Sequence, residues 1–150
     1  MIETVGYING AVENFFLSTL EVSCQEHSQK TVEDVYTTKI KIYHLDTEYQ
    51  FYICMGEPIL RELSNQLLGE ESPCQDTIID LINESANLIV GNVKVLWEEA
   101  EGAELQLTTP EYQGFFEKSF SKEFDERLFF EASDESIMIG IEKVTSTETV

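Results

Sequence analysis

The sequence predicts an α+β fold in which about three helices pack on an antiparallel β-sheet. Three observations support this prediction. Apolar residues recur at helical spacing in three segments of the chain. Other segments are rich in Val, Ile, Thr and Tyr and alternate in polarity, as strands with one buried face do. Short turn sequences separate several of these strands, which favours pairing as antiparallel hairpins.

The first helix is predicted from about Val5 to Leu20, and its apolar residues at helical spacing are Ile8, Val12, Phe15, Phe16 and Leu20. A strand is predicted next, between Val32 and Leu45. A second strand runs from Tyr49 to Met55, and Asp46-Thr47 between the two indicates a hairpin.

The second helix is expected to begin at Glu57-Pro58, because proline is tolerated in the first helical turn. Gly69 is a suitable residue to end it. The apolar stripe of this helix consists of Ile59, Leu60, Leu63 and Leu67. After a linker, Thr77 and Asp80 have the spacing of a capping box, which predicts a third helix that runs to about Val95 or Trp97.

The last third of the chain predicts further strands. Leu105 and Leu107 lead to Thr109-Pro110, and the segment 111–125 indicates an unresolved mixture of strand and loop. Two more strands are expected around residues 128–130 and 137–141. Residues 145–150 are expected to form a frayed tail.

Length and charge restrict the class of protein. A chain of 150 residues fits one domain, predicted to span residues 1–150, and can bury a proper core. The 29 acidic and 9 basic side chains give a formal charge of −20. Such a surface repels nucleic-acid backbones and anionic lipid, so we expect neither nucleic acid nor membrane as a partner.

Cysteines and histidines give no sign of a metal site. Cys24, Cys54 and Cys74 are widely spaced without a CxxC pair, so neither structural zinc nor a disulfide framework is expected. His27 and His44 are isolated, which argues against a catalytic triad. The N-terminus lacks the pattern of a signal peptide, and the expected location is the reducing cytoplasm.

The third helix carries a polar set that core packing does not explain. At about 100° per residue, Asp80, Glu84, Asn87 and Gly91 project within a sector of roughly 60°. The aliphatic residues that centre on the opposite side are Ile79, Ile82, Ala86, Ile89 and Val93. Asn and Gly are both poor interior helix formers, and Gly costs about 1 kcal/mol relative to Ala. Small residues at Ser85 and Gly91 are expected to leave Glu84 and Asn87 prominent on a shallow surface.

This segment resembles the signature of the CheC/CheX/FliY family of bacterial chemotaxis phosphatases. The signature is Asp or Ser, three residues, Glu, two residues, Asn, twenty-two residues, Pro. Asp80, Glu84 and Asn87 satisfy its helical part, and Pro110 falls at the required distance. Because the chain has 150 residues and carries one intact copy of this signature, it resembles CheX more than CheC or FliY. The first helix carries Asn9, Glu13 and Phe16 at the corresponding spacing, which indicates a degenerate copy whose Phe16 serves the core.

The resemblance implies a substrate and roles for these residues. The substrate would be the phosphoaspartate of a CheY-like receiver domain, which supplies its own Mg²⁺ and a lysine, so the chain needs no cofactor of its own. Asn87 would orient the attacking water, and Glu84 would pair with the receiver's lysine. Asp80, Gly91 and Pro110 would shape the site. The resemblance also implies a CheX-like homodimer that pairs through sheet edges.

Two interpretations remain open at this point. The chain is either a phosphatase or a non-catalytic receiver-binding or flagellar-switch adaptor on the same fold. Leu81, Asn83 and Leu88 are expected to face the partner in both cases. Five aromatic residues have two interpretations: they form a docking surface, or they belong to the core and the sheet. They are Tyr112, Phe115, Phe116, Phe120 and Phe124.

Overall fold

The computed structural model describes residues 2–26, 32–118 and 122–145. Three helices and seven strands form within these ranges, which confirms the predicted α+β class. In chain order they are α1 Ile2–Leu20, β1 Gln25–Glu26, β2 Val35–His44, β3 Thr47–Gly56, α2 Glu57–Leu68, α3 Gln75–Glu101, β4 Gln106–Leu107, β5 Glu111–Phe116, β6 Glu126–Ala132 and β7 Glu135–Thr145. The extent of the domain, residues 1–150, stays a prediction.

Antiparallel pairing joins the strands in the order β1-β6-β7-β3-β2-β4, and β5 pairs with β2 beside β4. Strand β2 therefore has partners on both sides, with β3 along its whole length and with β4 and β5 on the other edge. The predicted hairpin between β2 and β3 is confirmed. Its turn is Leu45-Asp46 rather than Asp46-Thr47, because Leu45 adopts a left-handed φ of 57° and Thr47 already pairs with His44.

The main core lies between the helices and one face of the sheet. The predicted apolar residues of α1 enter this core, and Phe16 is fully buried. Helix α2 has the predicted start, and Gly69 ends it in a left-handed conformation. Leu67 departs from the prediction, because its side chain is 47% exposed.

Helix α3 is longer than predicted at both ends. It begins at Gln75 with Cys74 as the N-cap residue, so the capping box predicted from Thr77 and Asp80 is wrong. The helix continues through the acidic segment to Glu101, where Gly102 ends it with a φ of 64°. Residues 146–150 of the predicted frayed tail lie outside the described residues, whereas Thr145 pairs with Thr47 and belongs to β7.

A smaller apolar cluster covers the other face of the sheet, with Phe116 and Phe124 packed against it. The ring of Phe124 lies over Gly140 of β7, and a Cβ atom on Gly140 would be 2.7 Å from three of its ring atoms. The same ring stacks at a tilt on Tyr52, with 5.2 Å between centroids. Gly140 therefore leaves the space that lets residues 122–125 close over the sheet.

We expect Gly140→Ala to lower the free energy of unfolding by about 1–3 kcal/mol, because the new methyl group displaces the Phe124 ring. Urea denaturation measures the change. In a Phe124→Ala background the clash is gone, and alanine in a strand is favoured over glycine by roughly 0.5–1 kcal/mol. The sign of the effect should then reverse, and an equal loss in both backgrounds would contradict the assigned contact.

Candidate functional site

Helix α3 separates its apolar and polar residues as predicted. Ile82, Ala86, Ile89 and Val93 are buried, and Ile79 of the same predicted set is half-buried. Asp80, Glu84 and Asn87 are exposed. Burial of each large aliphatic side chain contributes about 1.5–3 kcal/mol, so the core determines which face of α3 is left to solvent. Ser85 does not lie on the exposed ridge as expected, because it is only 3% exposed and faces inward.

The chain segment that carries Pro110 returns to this exposed face. Thr108 donates its backbone N–H to the Lys41 carbonyl at 3.0 Å, and the Lys41 N–H donates to Thr108 Oγ1 at 3.0 Å. This pair of hydrogen bonds fastens the segment to β2. Thr109 and Pro110 consequently lie next to the polar residues of α3.

One shallow depression of about 360 Å³ results, and its lining residues are Asp80, Asn83, Glu84, Asn87, Thr109 and Pro110. Four residues named from the sequence, Asp80, Glu84, Asn87 and Pro110, therefore meet at one place. Gly91 does not line the depression. It is half-buried, and a Cβ atom there would make ordinary contact with Leu107 at 3.8 Å.

Asn83 was expected only as a docking residue, and the structure adds an anchor for it. The Thr38 hydroxyl of β2 donates to Asn83 Oδ1 at 2.6 Å. Thr38 has no exposed surface, so this bond joins the floor of the site to the interior of the sheet. Leu81 was expected to face a partner as well, but it is 5% exposed and packs in the core.

A carboxylate near the end of α3 holds the chain that leads to Pro110. Glu98 accepts a hydrogen bond from the Leu105 N–H at 3.0 Å and another from Lys94 Nζ at 3.1 Å. The Leu105 amide, followed by the Lys94 ammonium, lowers the pKa of the Glu98 carboxyl. The carboxylate form is therefore the one that orders this connection at neutral pH.

The polar groups of the site are available to a partner. Within the described ranges, no ion pair or hydrogen bond to another described residue engages the side chains of Asp80, Glu84 or Asn87. Nor does the described part of the chain contain a group of three or more His, Cys, Asp or Glu side chains that could hold a metal ion. The depression thus offers carboxylates and amides.

The described cysteines and histidine supply no nucleophile there. Burial raises the pKa of the Cys24 and Cys54 thiols to about 12, so neither forms a thiolate near neutral pH. Cys74 is exposed at the start of α3 and does not line the depression. His44 packs edge-on against Trp97, with 5.6 Å between ring centroids, and His27 lies outside the described residues.

The degenerate motif of α1 lies on a different surface. Phe16 is in the core as predicted, and Asn9 donates to Glu26 at 3.5 Å. A separate groove of about 450 Å³ runs between α1 and α3, where Leu17 and Leu88 are 59% and 46% exposed. The exposed position of Leu88 agrees with its expected role at a partner surface.

The aromatic set is mainly structural. Tyr112 packs on the main core, and Phe116 and Phe124 cover the second cluster. Phe115 is 43% exposed and contacts Tyr36 with 4.9 Å between ring centroids. Phe120 lies outside the described residues. These contacts favour the core-and-sheet reading over a docking surface.

Every helix in the described ranges is too short or too polar to span a lipid bilayer.

A family model described as chemotaxis phosphatase CheX matches residues 43–114, a range that includes Asp80, Glu84, Asn87 and Pro110. No curated protein sequence gives a significant match.

Solved structures share the fold at low sequence identity. The chemotaxis protein CheX from Vibrio vulnificus is 17% identical and has a TM-score of 0.79, with 95% of this chain and 97% of that chain covered. A CheC-like superfamily protein from Shewanella sp. PV-4 is 18% identical at a TM-score of 0.76, with 96% and 99% covered. The CheX–CheY–BeF3–Mg²⁺ complex from Borrelia burgdorferi is 16% identical at a TM-score of 0.71, with 95% and 99% covered.

The range matched by the family model contains Asp80, Glu84, Asn87 and Pro110, and the solved structures share the arrangement of helices and sheet. The part of the chain that carries the signature therefore matches the model of the chemotaxis phosphatase CheX family, and the chain shares its fold with solved CheX and CheC-like structures.

Proposed function

We propose that this chain is a phosphatase that hydrolyses the aspartyl phosphate of a CheY-like receiver domain. The observation that carries the proposal is the single open depression lined by Asp80, Glu84, Asn87 and Pro110. The match to a chemotaxis phosphatase family and the solved complex of a CheX with CheY support it.

The available groups suit a reaction in which the partner supplies the electrophile. The depression holds no thiol or imidazole, and the Asn87 amide is a weak acid and base. An amide can accept one hydrogen from a water molecule and hold its oxygen in a defined direction. In this proposal the water oxygen forms a bond to phosphorus in line with the aspartyl oxygen. The bond between phosphorus and the aspartyl oxygen then breaks, and its electron pair stays on the receiver's carboxylate. The protons of the attacking water remain on the phosphate, which leaves as inorganic phosphate.

Positioning is sufficient for such a role, because phosphoryl transfer depends mainly on geometry and charge balance. The receiver holds the Mg²⁺ that balances the phosphoryl charge, and this chain contributes no metal ligand to it. Glu84 pairs with the receiver's lysine and thereby sets the angle at which α3 meets the phosphoryl group. Asp80 and Pro110 shape the surface around these two residues.

The predicted homodimer is part of the same proposal. Strand β5 has one edge that no described strand covers, and β6 is paired on its outer side only at Phe130 and Glu131. Either edge can extend the sheet into a second copy of the chain by backbone hydrogen bonds.

Analytical ultracentrifugation should give twice the chain mass of 17.1 kDa. A monomer at all concentrations would contradict the dimer.

Asn87→Ala should abolish the acceleration of phosphate release and leave receiver binding close to that of the wild type. Because a misplaced attacking water costs about 100-fold in rate or more, the variant should approach the rate of the receiver alone. Release of inorganic phosphate from phosphorylated receiver in Mg²⁺ measures it.

The matched control is Asn65→Ala, which removes an exposed amide from α2 outside the depression. A rate for Asn87→Ala equal to that of wild type and control would exclude the positioning role. If the wild type binds receiver saturably without changing its dephosphorylation rate, the chain is an adaptor instead.

Glu84→Gln should raise KM about 10-fold with a smaller change in kcat, because the variant loses a charge-assisted contact with the receiver's lysine. The KM of the wild type should also rise more steeply with ionic strength than that of the variant. Glu62→Gln on the exposed side of α2 removes the same charge elsewhere and serves as control. Equal salt dependence of wild type and Glu84→Gln would show that Glu84 does not pair with a cation.

A further inference from the structure

Asn83 lies at the site but outside the family signature. On a helical projection of about 100° per residue, Asn83 and Glu84 flank Asn87 on opposite sides. Asn83 and Asn87 are also one turn apart, so their side chains are neighbours along the axis. The depression therefore has an amide side, with Asn83 and Asn87, and a carboxylate side, with Glu84.

The Thr38 hydroxyl determines which end of the Asn83 amide is available. It donates to Asn83 Oδ1 at 2.6 Å, so the oxygen is directed toward strand β2. The amide is planar, and its nitrogen consequently points away from Thr38. Asn83 is half-buried and lines the depression, and its Nδ2 donates to no other described residue.

Binding through the oriented Asn83 amide has a small cost in conformational entropy. Thr38 is fully buried on a strand paired along both edges, so the anchor does not move with the surface. A donor that is already oriented loses little conformational entropy when an acceptor arrives. The two N–H groups of Nδ2 are thus a prepared hydrogen-bond donor beside Asn87.

We propose that Asn83 is a further binding residue of this site, whose Nδ2 donates a hydrogen bond to an acceptor oxygen of the docked receiver; this inference rests on the proposed function. The division of the depression matches the chemistry of the target. A receiver's aspartyl phosphate presents anionic oxygens beside a cationic lysine. The N–H groups of the amides can donate hydrogen bonds to the anionic oxygens, and the Glu84 carboxylate can pair with the lysine. The acceptor is either a phosphoryl oxygen or an oxygen of the unmodified receiver surface.

Three variants separate donation from anchoring. Asn83→Asp keeps the acceptor for Thr38 and removes the donor. The pair Thr38→Val with Asn83→Leu replaces both partners by apolar groups of similar shape, which is nearly neutral for stability, and removes the donor without adding charge. Thr38→Val alone removes the anchor and keeps the donor. Asn65→Asp on α2 controls for the added charge, and thermal unfolding of each variant verifies the fold.

The experiment measures receiver affinity with and without beryllofluoride and Mg²⁺, where beryllofluoride stands in for the phosphoryl group, together with KM and kcat for phosphate release. We expect Asn83→Asp and the double variant to weaken affinity and raise KM about 10-fold, with a smaller effect of Thr38→Val alone. Loss confined to the beryllofluoride form identifies a phosphoryl oxygen as the acceptor, and equal loss in both forms identifies the receiver surface.

Wild-type affinity and KM in both donor-lacking variants would overturn the inference. So would a loss in Thr38→Val as large as in the double variant, because Asn83 would then act only as an anchor for α3. In either case an active wild type leaves the proposed function standing. A wild type that neither binds a receiver nor accelerates phosphate release overturns both.

Discussion

Strand β2 is hydrogen-bonded along both edges, and this constraint holds the site together. Its inner face lies in the main core, where Thr38 and Ile40 have no exposed surface. Thr38 fastens α3 through Asn83, and Lys41 fastens the segment before Pro110 through Thr108. Two chain segments far apart in sequence are therefore positioned by the same rigid backbone. A shift of β2 would move both walls of the depression.

Helix α3 combines an anchored side and a solvent side. Its aliphatic residues and the bond from Thr38 hold it against the sheet, so Glu84 and Asn87 project from a backbone that cannot yield easily. Rigid presentation of this kind suits a residue that acts by orienting water, because small displacements have large effects on rate. In the proposed mechanism the reactive phosphoryl group and its metal belong to the partner. The chain then needs only a stiff, accessible ridge.

This chain and the Vibrio vulnificus CheX share a fold at only 17% sequence identity. Such a low identity is consistent with the way in which hydrophobic cores determine a fold. Cores accept many combinations of hydrophobic residues if volume and pattern are kept. Phe16 of α1, predicted to stand at the place of the amide in a degenerate copy of the motif, is consistent with this freedom because it is fully buried. Asp80, Glu84 and Asn87 of α3, by contrast, are exposed.

Local patterns were sufficient for much of this structure. Helical spacing located α1, α2 and α3, and polarity alternation located the β2–β3 hairpin, because burial of one face leaves a period in the sequence. The same reasoning separated Asp80, Glu84 and Asn87 from the buried face. Helix ends were less predictable, and α3 began at Gln75, before the start that Thr77 and Asp80 predicted.

Contacts between distant segments left no such trace. Thr38 and Asn83 are 45 residues apart, and Lys41 and Thr108 are 67 apart, so no local period links them. Each contact depends on the register of α3 and of the Pro110 segment over the sheet, which arises from packing of the whole core. Periodicity shows that a residue faces inward or outward. It does not show which residue that side chain contacts, and for that reason the bond from Thr38 that orients Asn83 emerged only from the folded chain.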